Sequence, residues 1–221
     1  NAYYNRGNMY EKLKEYDKAL VDYGKILDID PEFLNAYIYR GSIYQDLKEY
    51  DKALLEYAKA IEIDPENIYS YRPRAMIYYE LKEYDKAIEE YTKALEIHPH
   101  PEDYYRIASI YTYNFSPRDF NNALKTLSEL LSFFPDYVRA YTLRGNIYDL
   151  LDNPNLAEEN FSTAISLKKD YDWAYWCRAI LYHYNKEVFE KSFDKALADY
   201  LTVQKLSSAY YDVDLQLAYL Y

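Results

Sequence analysis

Apolar and aromatic side chains recur along the chain at intervals typical of α-helices. Ala53, Tyr57, Ala60 and Ile61 follow the i, i+4, i+7, i+8 spacing that places side chains on one face of a helix. The chain contains only 4 glycines and 8 prolines, which is few for an all-β protein with many tight turns. The pattern therefore predicts an all-α fold built from amphipathic helices.

This helical pattern repeats with a period of 34 residues. Pro31, Pro65 and Pro99 lie 34 positions apart, and Pro135 follows after 36. Between these prolines each unit carries two segments, which in the second unit consist of Tyr37, Arg40, Gly41 and Tyr44, then Tyr50, Ala53 and Tyr57. Because proline cannot continue a helix, each unit predicts two helices, A and B, with a turn before the next unit.

These spacings resemble the tetratricopeptide repeat, whose pattern is aromatic-x2-Leu-Gly-x2-Tyr, then Ala-x3-Phe, then Pro. The resemblance covers essentially the whole chain, although arginine stands where the family usually has leucine. It implies an all-α, right-handed superhelical solenoid of antiparallel helix pairs, forming a single domain over residues 1–221. The expected units are 1–33, 34–67, 68–100, 101–137, 138–171 and 172–210, followed by a capping or seventh A helix over 211–221.

Two units depart from the period between their two segments. The fourth unit has three extra residues between Tyr111 and Phe120, and the sixth has five between Tyr182 and Phe193. Insertions of this kind lengthen a helix or a loop at the edge of a repeat, sometimes at a binding face.

A second regularity links the two helices of a unit by charge. Five of the six units carry arginine at the position of Arg40, and four of these carry an acid at one fixed position of helix B. The pairs are Arg6 with Asp22, Arg40 with Glu56, Arg74 with Glu90, and Arg178 with Asp199, while Arg144 faces Asn160 and the fourth unit has Ile107 and Thr126. We predict part-buried ion pairs within ~4 Å.

Most of the 32 tyrosines occupy the recurrent positions of Tyr37, Tyr44, Tyr50 and Tyr57, where packing between helices accounts for them. Most of the remainder lie on the A helices, outside the predicted packing face. In the resembled family the A helices line a concave groove. The predicted partner-binding residues are Asn5, Asn8, Tyr39, Tyr69, Arg72, Tyr79, Tyr105, Arg106, Asn146, Trp173, Trp176 and Tyr184. The same elimination places further residues in the groove, among them Glu11, Lys12, Gln45, Glu80, Thr142, Leu143, Asp149 and His183.

Aromatic and arginine side chains are common anchors of protein interfaces, and amide side chains can pair with an extended peptide backbone. The predicted function is therefore a non-catalytic scaffold that binds a peptide or helix of a partner protein, with no cofactor. A clamp for acidic chaperone tails is not expected. Of its two lysines, two asparagines and one arginine only Asn8 is matched, and Tyr4, Tyr39, Tyr69 and Pro73 occupy the other positions.

Charge and composition narrow the partner. The net charge of −11 argues against nucleic acid, whose phosphates need lysine and arginine, and it favours a neutral or basic protein partner. The same acidity could serve solubility alone. No apolar run approaches the roughly 18 residues of a membrane span, so direct membrane insertion is not expected. The single cysteine, Cys177, favours a reducing compartment such as the cytoplasm.

Candidate chemical motifs are weak. His98 and His100 lack the further ligands that zinc requires. Cys177 and His183 lack an identifiable orienting acid and oxyanion donors. Two alternatives to the scaffold function remain open: self-association through the terminal segments around 1–10 or 215–221, and an interaction region of a larger protein whose activity lies outside this sequence. The chain begins without an initiator methionine, directly in the helical pattern at Asn1, which favours an excerpt from a longer protein.

Overall fold

The computed structural model describes residues 2–206 and 216, and the described part of the chain consists of α-helices joined by turns. The predicted A and B helices alternate throughout. In chain order the helices are α1 (Ala2–Lys12), α2 (Tyr16–Ile29), α3 (Leu34–Asp46), α4 (Tyr50–Ile63), α5 (Ile68–Glu80), α6 (Tyr84–Ile97), α7 (Pro101–Tyr113), α8 (Phe120–Phe133), α9 (Val138–Leu150), α10 (Pro154–Leu167), α11 (Asp172–Tyr184) and α12 (Ser192–Leu206).

The helices form two compact units, residues 1–107 and 108–221, which are called unit 1 and unit 2 below. Consecutive helices pack against one another from α1 to α6 in unit 1 and from α8 to α12 in unit 2. The predicted all-α fold class of stacked helix pairs is therefore confirmed. The predicted capping helix over 211–221 lies outside the described residues, apart from Gln216.

A left-handed residue makes the turn from helix A to helix B in five of the six pairs. Lys14, Lys48, Lys82, Asp152 and Lys191 have φ angles of 55° to 61°. In the first four of these turns, the next residue donates its backbone N–H to a carbonyl in the last turn of helix A, at 2.8–2.9 Å. This bond satisfies one of the carbonyls that a helix end leaves open, and the arrangement is one that glycine usually adopts.

The two insertions are accommodated as longer loops, and α7 and α11 keep the 13-residue length of other A helices. In the first insertion the backbone N–H of Asp119 bonds the carbonyl of Tyr111 at 3.0 Å, as the shorter turns do to the equivalent tyrosine. The ring of Phe115 stacks on Tyr111 with centroids 5.6 Å apart. In the second insertion Phe189 is buried against Tyr182. The first loop therefore keeps the hydrogen bond of the shorter turns, and α11 and α12 pack together despite the second loop.

Glycines on three A helices let an aromatic ring of helix B approach the backbone. A Cβ atom added at Gly41 would lie 2.8 Å from the ring of Tyr57, and one at Gly145 would lie 2.5 Å from the ring of Phe161. Both rings are almost completely buried. The small residue and the large ring therefore fill one space together, which explains why both recur with the repeat.

The predicted ion pairs are confirmed. Arg6–Asp22, Arg40–Glu56, Arg74–Glu90 and Arg178–Asp199 have nitrogen–oxygen distances of 2.6–2.9 Å. The Arg144 Nε donates to Asn160 Oδ1 at 2.6 Å, so a neutral amide replaces the acid in that repeat. All five bonds connect helix A to helix B of the same pair.

The repeated tyrosines divide into two groups by burial. Tyr23, Tyr57, Tyr91 and Tyr200 on B helices are buried, whereas those at the other three recurrent positions are mostly half-buried. A half-buried ring often lies under a cation, as with the Lys52 ammonium 5.2 Å from the ring centroid of Tyr44. Packing therefore accounts for part of the tyrosine content and ring–cation contacts for another part.

Candidate functional site

The twelve predicted partner-binding residues all lie on A helices, and none of them is fully buried. Five are exposed, namely Asn5, Tyr69, Arg106, Trp173 and Tyr184. Seven are half-buried, namely Asn8, Tyr39, Arg72, Tyr79, Tyr105, Asn146 and Trp176. This strip of A-helix side chains is the candidate site, and we call it the A-helix face of each unit.

Three residues of the wider prediction are wrong because they are buried, namely Thr142, Leu143 and His183. The Thr142 hydroxyl bonds backbone carbonyls of its own helix, at 3.0 Å to Arg139. Helix α9 packs against α8, α10 and α11, so its solvent-facing strip is narrower than one packing face implies. Elimination from a single face therefore assigns too many residues to the surface.

In unit 1 a set of tyrosines joins consecutive A helices. The Tyr4 hydroxyl of α1 donates to the Tyr39 hydroxyl of α3 at 3.3 Å. The Tyr39 ring in turn stacks on Tyr23 of α2, with centroids 5.6 Å apart and planes 16° apart. Tyr39 is thus held on two sides while part of it remains accessible. Because the orientation of the Tyr39 ring is already fixed, less side-chain entropy is lost when a partner binds to it.

The buried B-helix tyrosines extend their hydroxyls to the A-helix face. Tyr23 Oη lies 2.6 Å from Asn8 Oδ1 and 2.8 Å from Glu11 Oε2. Tyr57 donates to Gln45 at 3.1 Å, and Tyr200 Oη lies 3.4 Å from His183 Nδ1. Because Tyr23 carries one hydroxyl proton, it donates to one oxygen at a time, or Asn8 presents its NH₂ group instead.

The residues that these hydroxyls contact include one at the same position of each repeat concerned, and the sequence alone did not predict these hydrogen bonds. Glu11, Gln45, Asp149 and His183 each directly follow the recurrent tyrosine of helix A. Burial and the neighbouring Asp46 raise the pKa of Glu11, while the bond from Tyr23 lowers it. Burial and Asp152 raise the pKa of Asp149, which has no tyrosine opposite because its repeat carries Phe161.

A cleft of about 490 Å³ opens between α1 and α3 beside this hydroxyl. Its lining residues are Asn8, Glu11, Lys12, Lys14, Tyr16, Tyr39 and Asp46. The Tyr16 hydroxyl donates to Asp46 Oδ2 at 2.8 Å. Asp46 was not predicted as part of the site, although elimination placed Lys12 and Glu80, which stand at the same repeat position, in the groove.

Arg72 and Arg106 are both engaged in ion pairs. The Arg72 Nε lies 2.7 Å from the Asp103 carboxylate, which links α5 to α7 within unit 1. Asp103 is buried, and that burial raises its pKa despite the arginine. Arg106 pairs with Glu102 at 3.0 Å along α7. Asp103 was not predicted because the equivalent positions of other A helices carry alanine or serine, such as Ala36.

In unit 2 the A-helix face is also connected across helices. The Asn146 amide of α9 donates to the Tyr113 hydroxyl of α7 at 3.4 Å. Trp176 of α11 meets the edge of Tyr200, with centroids 5.6 Å apart. Tyr184, which is 69% exposed, stacks on His183 at 4.7 Å. The accessible aromatic rings of this unit are therefore supported by contacts beneath them.

The cysteine and histidine residues of the weak chemical motifs lie in environments that do not favour catalysis or metal binding. Burial raises the pKa of the Cys177 thiol, which disfavours the reactive thiolate. The His100 ring nitrogen accepts the backbone N–H of Glu102 at 3.3 Å, at the start of α7. Within residues 2–206 and 216, no three histidine, cysteine or acidic side chains gather as a metal site would require. No helix in the described part is both long and apolar enough to cross a membrane.

Comparisons with known proteins agree with this architecture. Models of the tetratricopeptide repeat match residues 1–33, 34–67, 74–101 and 138–171. Among solved structures, pilF of Pseudomonas aeruginosa is 18% identical with a TM-score of 0.70, over 99% of this chain and 96% of that one. No curated protein sequence matches the chain.

Two further solved structures are similar. YrrB, described as a TPR protein with an unusual peptide-binding site, is 17% identical with a TM-score of 0.64, over 89% of this chain and 97% of that one. The C-terminal part of a TPR repeat-containing protein from Cytophaga hutchinsonii is 15% identical with a TM-score of 0.75, over 93% and 79%.

The family matches cover more than half of the chain, and they agree with the helix pairs and with the recurrent residues. Tetratricopeptide repeats generally serve as non-catalytic scaffolds for protein interaction. The chain belongs to the tetratricopeptide-repeat family.

Proposed function

We propose that this chain binds a peptide or helix of a partner protein along the A-helix face. The observation that supports this most directly is the state of the aromatic side chains on that face. Tyr39, Trp176 and Tyr184 are each held by a ring beneath or beside them and yet remain partly or largely accessible. Rigid, accessible aromatic rings can anchor a partner with little loss of side-chain entropy.

The amide side chains and the charge of the chain add to this proposal. Asn5 is exposed and Gln45 is half-buried on the same face as the rings. An amide can both donate to and accept from the backbone of an extended segment. The net charge of −11 favours a neutral or basic partner over an acidic one. YrrB, which shares the fold, has a peptide-binding site, and the proposal extends peptide binding to this chain.

Affinity purification with paired variants tests the proposal. Tyr69→Ala and Tyr184→Ala each remove an exposed ring of the A-helix face without opening the core. Leu55→Ala is the matched control, because Leu55 is 60% exposed on a B helix. We expect the two tyrosine variants to lose partners that the wild type and Leu55→Ala retain. Recovery of the same partners with all four proteins would refute binding at this face.

Self-association is a second candidate, favoured by one exposed apolar side chain. Met9 of α1 is 63% exposed, whereas the equivalent Ile43 and Ile77 are completely buried against the preceding helix pair. Within this sequence, a second copy could cover Met9 as the preceding pair covers these isoleucines, the role that a further repeat would take in a longer protein. Light scattering over a range of concentrations tests this, with Met9→Lys as the variant that should disrupt it. A strict monomer at every concentration would exclude self-association.

A further inference from the structure

The cleft between α1 and α3 has two acidic side chains on its walls. Glu11 comes from α1 and Asp46 from α3, and each accepts a tyrosine hydroxyl, from Tyr23 and Tyr16 respectively. Among the described residues, no lysine or arginine forms an ion pair with either acid. By contrast, the acids that face arginine within the helix pairs lie within 2.9 Å of it. The two carboxylates of the cleft are therefore bonded by tyrosine hydroxyls rather than by ion pairs.

Electrostatics within the cleft point in the same direction. Burial and the proximity of Asp46 raise the pKa of Glu11, which means that both disfavour its ionised form. Burial raises the pKa of the Tyr57 hydroxyl, and the negative charges of Asp46 and Glu11 raise it further. A cation entering the cleft would relieve this repulsion. Lys12 and Lys14 also line the cleft, and both side chains are exposed.

The aromatic walls suit a cation as well. Tyr16 and Tyr39 line the cleft and are half-buried, so part of each ring is available. In this unit Lys18 lies 5.3 Å from the ring centroid of Tyr10 and Lys52 lies 5.2 Å from that of Tyr44, so its tyrosines already pair with cations. The cleft volume of about 490 Å³ is within the range of roughly 300–1,000 Å³ that is typical of ligand pockets.

We propose that this cleft binds a basic side chain of the partner, arginine in preference to lysine, between the carboxylates of Glu11 and Asp46 and against the ring of Tyr39. A guanidinium is planar, so it can stack on a tyrosine ring while its N–H groups donate to carboxylates on two sides. The inference rests on the proposed function, since it names the chemistry that one segment of the A-helix face recognises. The remaining aromatic residues of the face would contact other parts of the partner.

Two short peptides provide the probe. One is an acetylated and amidated Ser-Ala-Arg-Ala-Ser peptide, and the other carries citrulline in place of arginine, which keeps the shape and removes the charge. NMR titration of the 221-residue chain should shift the amide signals around Asn8, Glu11 and Asp46 with the arginine peptide. We expect the citrulline peptide to bind about tenfold more weakly, as the loss of one partly desolvated charge contact implies.

The variants Glu11→Gln and Asp46→Asn remove the charges with little change in shape. Glutamine already occupies the equivalent position of the next repeat as Gln45 and accepts the Tyr57 hydroxyl, so Glu11→Gln should fold. We expect the double variant to lose the preference for arginine over citrulline. The control Asp28→Asn removes an exposed acid at the end of α2 and should keep it. Equal binding of both peptides by the wild type, or shifts confined to other helices, would refute the basic pocket.

The partner purification separates this inference from the proposed function. If Tyr69→Ala and Tyr184→Ala lose the partners while the Glu11→Gln, Asp46→Asn variant keeps them, the A-helix face binds but the basic pocket is refuted. If the tyrosine variants keep every partner, the proposed function itself fails, whichever peptide the cleft prefers.

Discussion

The first and fifth repeats, residues 1–33 and 138–171, have the same helix-pair geometry and different side-chain chemistry. In both, a glycine of helix A contacts a ring of helix B, Gly7 with Tyr23 and Gly145 with Phe161. Both turns also pass through a left-handed residue, with φ angles of 58° and 56°. The positions that determine shape therefore agree between the two repeats.

The polar positions differ between the same two repeats. The Tyr23 hydroxyl reaches Glu11 in the first, whereas Phe161 has no hydroxyl to offer Asp149 in the fifth. Arg6 pairs with an acid in the first, and Arg144 bonds the neutral Asn160 in the fifth. Packing constrains residue volume closely, while a polar group near the surface can exchange a protein partner for water. The A-helix face can therefore vary in chemistry without a change in the fold.

Removing either ring should produce the largest effect. Tyr23→Ala and Phe161→Ala should each cost about 3–5 kcal/mol of unfolding free energy, because both rings are buried and their loss leaves cavities. Urea denaturation measures the total, and hydrogen exchange in α1–α2 and α9–α10 localises it, since repeat arrays can unfold in parts. A large decrease in unfolding free energy for one variant and none for the other would show that the two rings do not contribute equally to stability.

Removing the ring hydroxyl from the first repeat and adding one to the fifth should change the unfolding free energy moderately and in opposite directions. Tyr23→Phe should cost about 1–2 kcal/mol, because half-buried Glu11 loses its donor. Phe161→Tyr should add a donor beside Asp149 and stabilise by up to about 1 kcal/mol. Thermal and urea unfolding of both variants measure the difference. Destabilisation by Phe161→Tyr would show that the fifth repeat has no room for the hydroxyl.

Glycine at the left-handed turn positions should stabilise both repeats slightly. Lys14→Gly and Asp152→Gly should each raise the unfolding free energy by about 0.4–1 kcal/mol, since glycine adopts positive φ without steric cost. The control is Lys18→Gly within α2, where glycine should destabilise by a similar amount. A lower melting temperature for the two turn variants would contradict the expectation.

The ion pair of Arg6 with Asp22 should contribute the least to the difference in stability between the two repeats, because half of the Arg6 side chain is exposed to solvent. The hydrogen bond from Arg6 lowers the pKa of Asp22, so the pair contributes stability above the unfolded value of about 3.8. That contribution should be lost as the pH falls below 3.8 toward the lowered pKa. Acid unfolding should show a weaker pH dependence in Asp22→Asn and a stronger one in Asn160→Asp. Identical acid transitions in wild type and Asp22→Asn would contradict it.

The fold could be predicted because its signal is repeated six times. The arginine–acid pairs, which are 16 or 21 residues apart in the chain, were predicted from recurrence alone and are present. The A-helix face was predicted less completely. Its residues were found by elimination, which wrongly added Thr142, Leu143 and His183, because helices on both flanks of an A helix narrow its exposed strip.

Contacts between A helices of successive repeats had no sequence signal of their own. Arg72 was predicted as a partner-binding residue, and its ion pair with Asp103 was not predicted, because the position of Asp103 carries alanine or serine in the other repeats. Asp46 was not predicted as part of the cleft, because it gains its role only when α3 lies beside α1. Periodicity reports what every repeat shares, and these residues are features of one repeat.

The sequence by itself determined the helix pairs, the ring-to-glycine packing and the ion pairs, because each depends on residues at fixed spacing within one 34-residue unit. Only the tertiary structure decided which side chains of successive repeats meet, such as Tyr4 with Tyr39 and Glu11 with Asp46. The physical reason is that contacts within a pair follow from helix geometry, whereas contacts between pairs depend on how closely neighbouring helices stack.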